Sequence, residues 1–183
     1  VFIAEAPSQL EFMLDHELKA VEEKKSELAK VLGQLELMHA QTDSKPIVRY
    51  FEGREGILKM QDDLIKSTVK EVVAISAVDD LIKIFPDHPK KLSPRRVQKG
   101  IYSRFIYTSV RGAFLDDTGM LRESRFIAPE KLPFNLDLAI YGDVVAISDL
   151  KGSVSGISIR NKDIAKSFTA LFELLWALAG SKN

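Results

Sequence analysis

From Ser8 to about Ala40 the chain runs without proline, carries a single glycine, Gly33, and is dense in Glu, Lys, Leu and Ala. That is the composition of a long helix. Ser8 follows Pro7 and precedes Glu11 by three residues, which fits an N-cap with a capping box. Leu14, Val21, Leu28 and Leu35 recur one heptad apart, Leu18 and Leu32 fill the partner position, and Lys25 interrupts it. The pattern is an a/d seam of about three heptads. A helix of about 30 residues is roughly 45 Å long, more than the width of a small domain, so part of its seam needs a partner outside that domain. The economical partner is the same helix from a second copy; the alternative is packing against the chain's own domain. In the paired arrangement, Lys25 helps to fix register at some loss of stability.

The polar stretch "QTDSKP", closed by Pro46, forbids continuation of the helix and opens a second unit. The expected organisation is a strand remnant, dimerising helix and linker over residues 1–44, then an α/β domain over 45–183. "IVRYF" has the character of a short strand, "GILKMQDDLIKST" places Ile57, Met60 and Leu64 on one helical face, "EVVAIS" is a buried strand, and "VDDLIKIF" a short helix. Strand, helix and strand in succession predict a parallel pair. "PDHPKKLSPRRVQKG" is basic and punctuated by proline, and "KKLSPRR" is expected to be a solvated loop. "IYSRFIYT" and "RESRFIA" follow as strands, "LDLAIYGDVVAIS" as two strands joined by a type II′ turn at Gly142-Asp143, and "SVSGISI" as one more. The last segment is a helix capped by Asn161, with Phe168, Leu171, Phe172, Leu175 and Trp176 along a wide apolar stripe and Gly180 at its end. At that spacing Trp176 belongs to a core rather than to a stacking platform.

Acidic and basic side chains balance at 26 each among 183 residues, so no overall field draws nucleic acid or an anionic membrane. An apolar content of 45% is enough to bury a core. Cysteine is absent, which excludes disulfides, thiolate metal sites and cysteine nucleophiles, and fits a cytoplasmic location. No apolar run approaches the roughly 20 residues that span a bilayer. Val1 to Ala4 have the look of the end of a strand, as though the chain were a piece of something longer.

The candidate sites are few. "YFEGREGI" holds two glycines three residues apart but lacks the Lys-Ser/Thr of a phosphate loop and the third glycine of a dinucleotide site. Gly53 or Gly56 is expected to serve a positive φ or a close approach of helix to strand. The corner is also the place to expect a ligand, since free amides at a helix start attract polar groups; Glu52 at its lip suits a hydroxyl-rich molecule such as a sugar better than a bare phosphate. Arg104 lies within a strand, so its charge requires a partner or a ligand, and Arg125 invites the same question. Glu52, Arg54, Arg104 and Arg125 are therefore the candidate ligand-binding residues. His88-Pro89-Lys90 matches the His-x-Lys half of a phospholipase D motif, yet Arg95 stands where the aspartate belongs, and the motif has no second copy. His16 and His39 fall in the long helix, so no metal cluster and no catalytic triad is legible.

Four segments together resemble the effector half of TrmB-type transcription regulators: "FIAEAPSQL" leading into the long helix, "PIVRYFEGREGILKMQDDLI", "RFIAPEKLPFNLDLAIYGDVVAIS" and "GISIRNKDIAKSFTALFELLW". The similarity runs in order over nearly the whole chain. It implies an α/β fold with a long N-terminal coiled-coil helix followed by a mixed-sheet, phospholipase-D-like domain without the catalytic residues. It further implies a non-enzymatic homodimer paired through Leu14, Leu18, Val21, Leu28, Leu32 and Leu35, a small-molecule effector such as a sugar, no metal or cofactor, and DNA contact only through a winged helix-turn-helix that this chain lacks. The alternatives are a degenerate phosphodiesterase using His88 and a dimerising scaffold with no ligand.

Overall fold

The computed structural model describes residues 8–40 and 45–180. The strand remnant expected at Val1–Ala4 and most of the linker lie outside them. The chain divides into two units, Val1–Lys45 and Pro46–Asn183.

The first unit is helix α1, Ser8–Ala40, 33 residues long. The unbroken run of helix formers predicted it, and along its seam Leu14 is 66% exposed and Leu18, Val21, Leu28 and Leu32 are exposed with it. The side chain of Leu35 lies outside the described residues.

The second unit is a seven-stranded mixed sheet with helices on both faces. In chain order its elements are β1 (Ile47–Glu52), α2 (Gly53–Lys66), β2 (Glu71–Ala77), α3 (Val78–Ile84), α4 (His88–Gln98), β3 (Tyr102–Thr108), β4 (Arg122–Phe126), β5 (Leu136–Tyr141), β6 (Val144–Asp149), β7 (Ser155–Arg160) and α5 (Lys162–Gly180). The strand order is β1-β7-β6-β5-β2-β3-β4. β2, β3 and β4 run parallel, while β2-β5, β5-β6, β6-β7 and β7-β1 are antiparallel.

This order corrects the expectation of a parallel β1–β2 pair. The two strands do point the same way, but β5, β6 and β7, which come later in the chain, fill the space between them. β1 is an edge strand whose one neighbour, β7, is antiparallel. The β5–β6 hairpin turns at Gly142-Asp143 with Tyr141 opposite Val144, as its sequence predicts.

"KKLSPRR" is also not a loop: it lies within α4. Pro89 sits in the first turn, where its missing N–H leaves no bond unmade. Pro94 is inside the helix, and burial of Arg96, 8% exposed, ties the segment to the sheet.

Alternating residues divide the core. Val73, Ile75, Ile106, Leu138, Ile140 and Val145 face α5, where Phe172 and Trp176 complete a cluster. The intervening residues, Val72, Tyr141, Val144 and Ala146 among them, pack against Ile57 and Met60 of α2 and Leu81 of α3. The Asn161 carboxamide oxygen caps α5 by accepting from the amides of Asp163 and Ile164. Leu171, expected on the buried stripe, instead points outward at 57% exposed, while Ala165 is buried with Phe172 and Trp176.

Candidate functional site: a cavity between the sheet and helices α2 to α4

The predicted site residues fall into two separate places. Glu52 is the residue before α2, exposed and making no side-chain cap bond. Arg54 extends over the Phe85 ring at 5.6 Å. Gly53 has φ +67°, and its amide donates to the Val154 carbonyl at 2.8 Å, so the first amide of this corner is already used. A Cβ on Gly56 would sit 3.0 Å from the Phe51 carbonyl carbon. One glycine thus serves the turn and the other the close approach of helix to strand.

Arg104 and Arg125 lie on the opposite face, toward α5. Arg104 donates from Nε to Glu71 at 2.8 Å and from Nη1 and Nη2 to Glu173 at 2.8 and 2.6 Å. Its guanidinium also lies 5.4 Å from the Phe172 ring centre. The bonds to Glu173, more than those to Glu71, raise its pKa still further, so the charge is permanent. Arg125 covers Trp176 at 4.0 Å, donates to the Trp176 carbonyl at 2.7 Å, and pairs with Glu123 at 2.9 Å. Both arginines fasten α5 to the sheet. The four predicted residues do not surround one cleft, and none of them lines the cavity on the α2 side of the sheet.

That cavity, about 250 Å³, lies between the sheet and helices α2, α3 and α4. Its floor includes Val72 and Ala74 of β2, Phe105 of β3 and Ala139 of β5, and Leu64 and Leu81 cover it from the helices. A mostly apolar hollow with a few polar groups is the usual form of a small-molecule site.

Its polar groups are set by strand register. Asp137 on β5 stands opposite Ser76 on β2 and Ser148 on β6, so the three side chains form one row on the cavity face. Both serines are fully buried, and neither hydroxyl makes a hydrogen bond of ordinary geometry. Burial raises the Asp137 carboxyl to about 6, and the Ser76 hydroxyl opposes that rise. Gln61 of α2 also lines the cavity, and its Oε1 is buried without a hydrogen-bond partner.

His88, Arg96 and Arg122 contribute the basic part of the wall. Burial, and then the charges of Arg122 and Arg96, hold His88 down to about 4, so it is neutral at pH 7. Arg96 donates to the carbonyls of Ile101, Met120 and Leu121. Burial, and then the charge of Arg122, lower its pKa, opposed by Asp117. Arg122 pairs with Asp117 at 2.6 Å. Arg95, which stands in the aspartate position of the half-motif, is bound to Asp62 at 2.7 Å. Among the described residues no group of three or more acidic or imidazole side chains could hold a metal, and no helix is long and apolar enough to cross a membrane.

No protein family model matches the sequence. No curated protein matches it. Solved structures do match. TrmBL2, described as an archaeal chromatin protein with a novel mode of DNA binding, is similar over 96% of this chain and 70% of its own, at 16% identity and a TM-score of 0.51. Nuc from Salmonella typhimurium, a phospholipase D family member, is similar over 73% of this chain and 95% of its own, at 16% identity and a TM-score of 0.52. The chain therefore has the mixed α/β fold common to a TrmB-like protein and a phospholipase D family member, as its resemblance implied. The TrmBL2 match extends over α1 as well, because 96% of the chain cannot omit a 33-residue helix.

Proposed function

We propose that the chain is the sensing and pairing module of a transcription regulator: the sheet unit takes a small molecule, and α1 pairs with a second copy. Its effect would reach DNA through a winged helix-turn-helix that this sequence does not contain. The observation that carries the proposal is the cavity, in whose wall, among the described residues, half-buried Asp137 pairs with no cation and the buried Gln61 Oε1 accepts from no donor. The exposed a/d seam of α1 supports pairing, and the fold shared with TrmBL2, a DNA-binding protein, supports the regulatory class. A ligand acts as an effector only by favouring one arrangement of the dimer over another.

A thermal-unfolding screen with sugars, nucleotides, phosphates and small amines tests the sensing role. A compound at 100 times its Kd adds about 2.7 kcal/mol of stability; a flat response across all classes leaves a ligand-free scaffold. Light scattering tests pairing. The mass of two chains is expected at high micromolar concentration and of one chain after Val21→Asp, and an invariant single-chain mass contradicts it.

His88 in the cavity wall favours a second reading, phosphodiester hydrolysis with neutral His88 as nucleophile. Arg95, paired with Asp62, opposes it. Turnover of bis(p-nitrophenyl) phosphate that disappears in His88→Ala would establish hydrolysis; no turnover by the parent chain removes it.

A further inference from the structure

The ionisable groups that line the cavity are answered within the protein, with one exception. Arg122 has Asp117, Arg96 has three carbonyls, Asp116 accepts the amide of Thr118 at 2.9 Å, and His88 is neutral. Asp137 has no cation within reach among the described residues; its neighbours across the sheet are the hydroxyls of Ser76 and Ser148. Gln61 Oε1, on the helix above, is a buried acceptor without a donor.

A half-buried carboxylate and a buried amide oxygen that line one cavity call for a group that brings both positive charge and several donors. A protonated amine has the charge and three N–H groups. A sugar hydroxyl donates one bond and leaves the carboxylate charge unbalanced, and an anion is repelled by it. Most of the remaining wall, Leu64, Val72, Leu81 and Phe105 included, offers nothing but hydrocarbon, so the rest of the ligand is apolar.

We infer that the cavity binds an organic ammonium ion, a primary amine on an apolar body, with its N–H groups on Asp137 and Gln61 Oε1. The inference rests on the cavity being a ligand site and adds the class of ligand.

Isothermal titration of the full chain at pH 7.5 with 2-phenylethylamine and hexylamine, set against 1-hexanol, hexanoate, glucose and inorganic phosphate, tests it. The amines are expected to bind at least tenfold more tightly than the alcohol and the carboxylate. Asp137→Asn should weaken the amines at least tenfold and leave the alcohol unchanged, and Gln61→Leu, similar in size, should weaken them severalfold. Circular dichroism checks that both variants fold; if Asp137→Asn does not, the Gln61→Leu comparison decides. Equal affinity for amine and alcohol, or amine binding indifferent to both variants, overturns the inference. Binding of glucose or phosphate alone overturns it too, while leaving the sensing role intact. Failure of every probe removes the inference and, with a flat thermal screen, the sensing role as well.

Discussion

On the α5 face of the sheet, Arg104 lies between Glu71 and Glu173 and Arg125 is held by Glu123 and the Trp176 carbonyl. Both guanidinium groups rest on aromatic rings. On the opposite face, Asp137 lacks a cation, and Gln61, Ser76 and Ser148 each hold a buried oxygen without an ordinary hydrogen bond, around or beside a hollow of about 250 Å³. On the α5 face both guanidinium groups are matched; on the other, Arg96 and Arg122 are matched but Asp137 and these buried oxygens are not. Unmatched buried polar atoms reduce stability, and a ligand on this face, as proposed, would account for their concentration there.

Substitutions on either face test this difference. The largest effect belongs to the α5 face. Phe172, 1% exposed, stacks on Trp176 with ring centres 5.4 Å apart. Phe172→Ala should cost about 3–5 kcal/mol in urea unfolding, and a loss below about 1 kcal/mol would mean that this core is less closely packed than described.

Next is Asp137→Asn, which should stabilise the free protein. Burial raises the carboxyl to about 6, well above the ordinary carboxylate value, so the unfolded chain ionises it first. Its contribution is favourable below about pH 4 and is lost as pH rises through about 6. His88, lowered from 6.5 to about 4, works in the opposite sense over nearly the same window, its contribution being lost as pH falls. The two oppose each other in the parent chain, so its own pH profile is a poor witness. The difference between parent and Asp137→Asn isolates the carboxyl. It should grow between pH 4 and pH 7 to at most about 3 kcal/mol in favour of the variant, whereas a variant that is less stable at pH 7 would show that Asp137 supports the fold.

The smallest effect is expected at Arg104. Its carboxylate partners are half exposed, and ion pairs of that kind contribute little. Arg104→Leu should lower the unfolding free energy by about 1 kcal/mol and leave amine binding as it was. A loss of binding without a loss of stability would move the ligand site to the α5 face.

Much of the fold was legible because its signals are local. The heptads of α1, the Asn161 cap, the Gly142-Asp143 turn and the strand segments each depend on neighbours a few residues away. Strand order is not local. β1 and β2 are joined by one helix yet lie three strands apart, because pairing with β5 and β7 satisfies their edges in a way that no short window records. α4 was hidden by its two prolines: Pro89 falls in the first turn, where it costs little, but Pro94 lies inside the helix, where a local reading expects a break.

The site was less legible than the fold. Arg104 and Arg125 stand out in sequence as charges within strands, and they prove to be the fastenings of α5. Asp137 is inconspicuous in "LDLAIY", where alternation makes it resemble a residue on a solvated face. Its meaning comes from β2 and β6 on either side and from helices above, which bring Ser76, Asp137 and Ser148 into one covered row. A signal was present: "VVAIS" in β2, "LDLAIY" in β5 and "VVAIS" in β6 each place one polar residue, Ser76, Asp137 and Ser148, in an otherwise apolar run. In strands covered on both faces, such a residue is expensive and calls for an explanation.

The central proposal is that a small molecule enters on the α2–α4 face of the sheet, and amide chemical-shift mapping of the full chain tests that directly. Titrated with the compound that most raises its melting temperature, the protein should show its largest shifts at Gln61, Ala74, Phe105, Asp137 and Ala139. Shifts gathered instead around Arg104, Arg125 and Trp176 would contradict it.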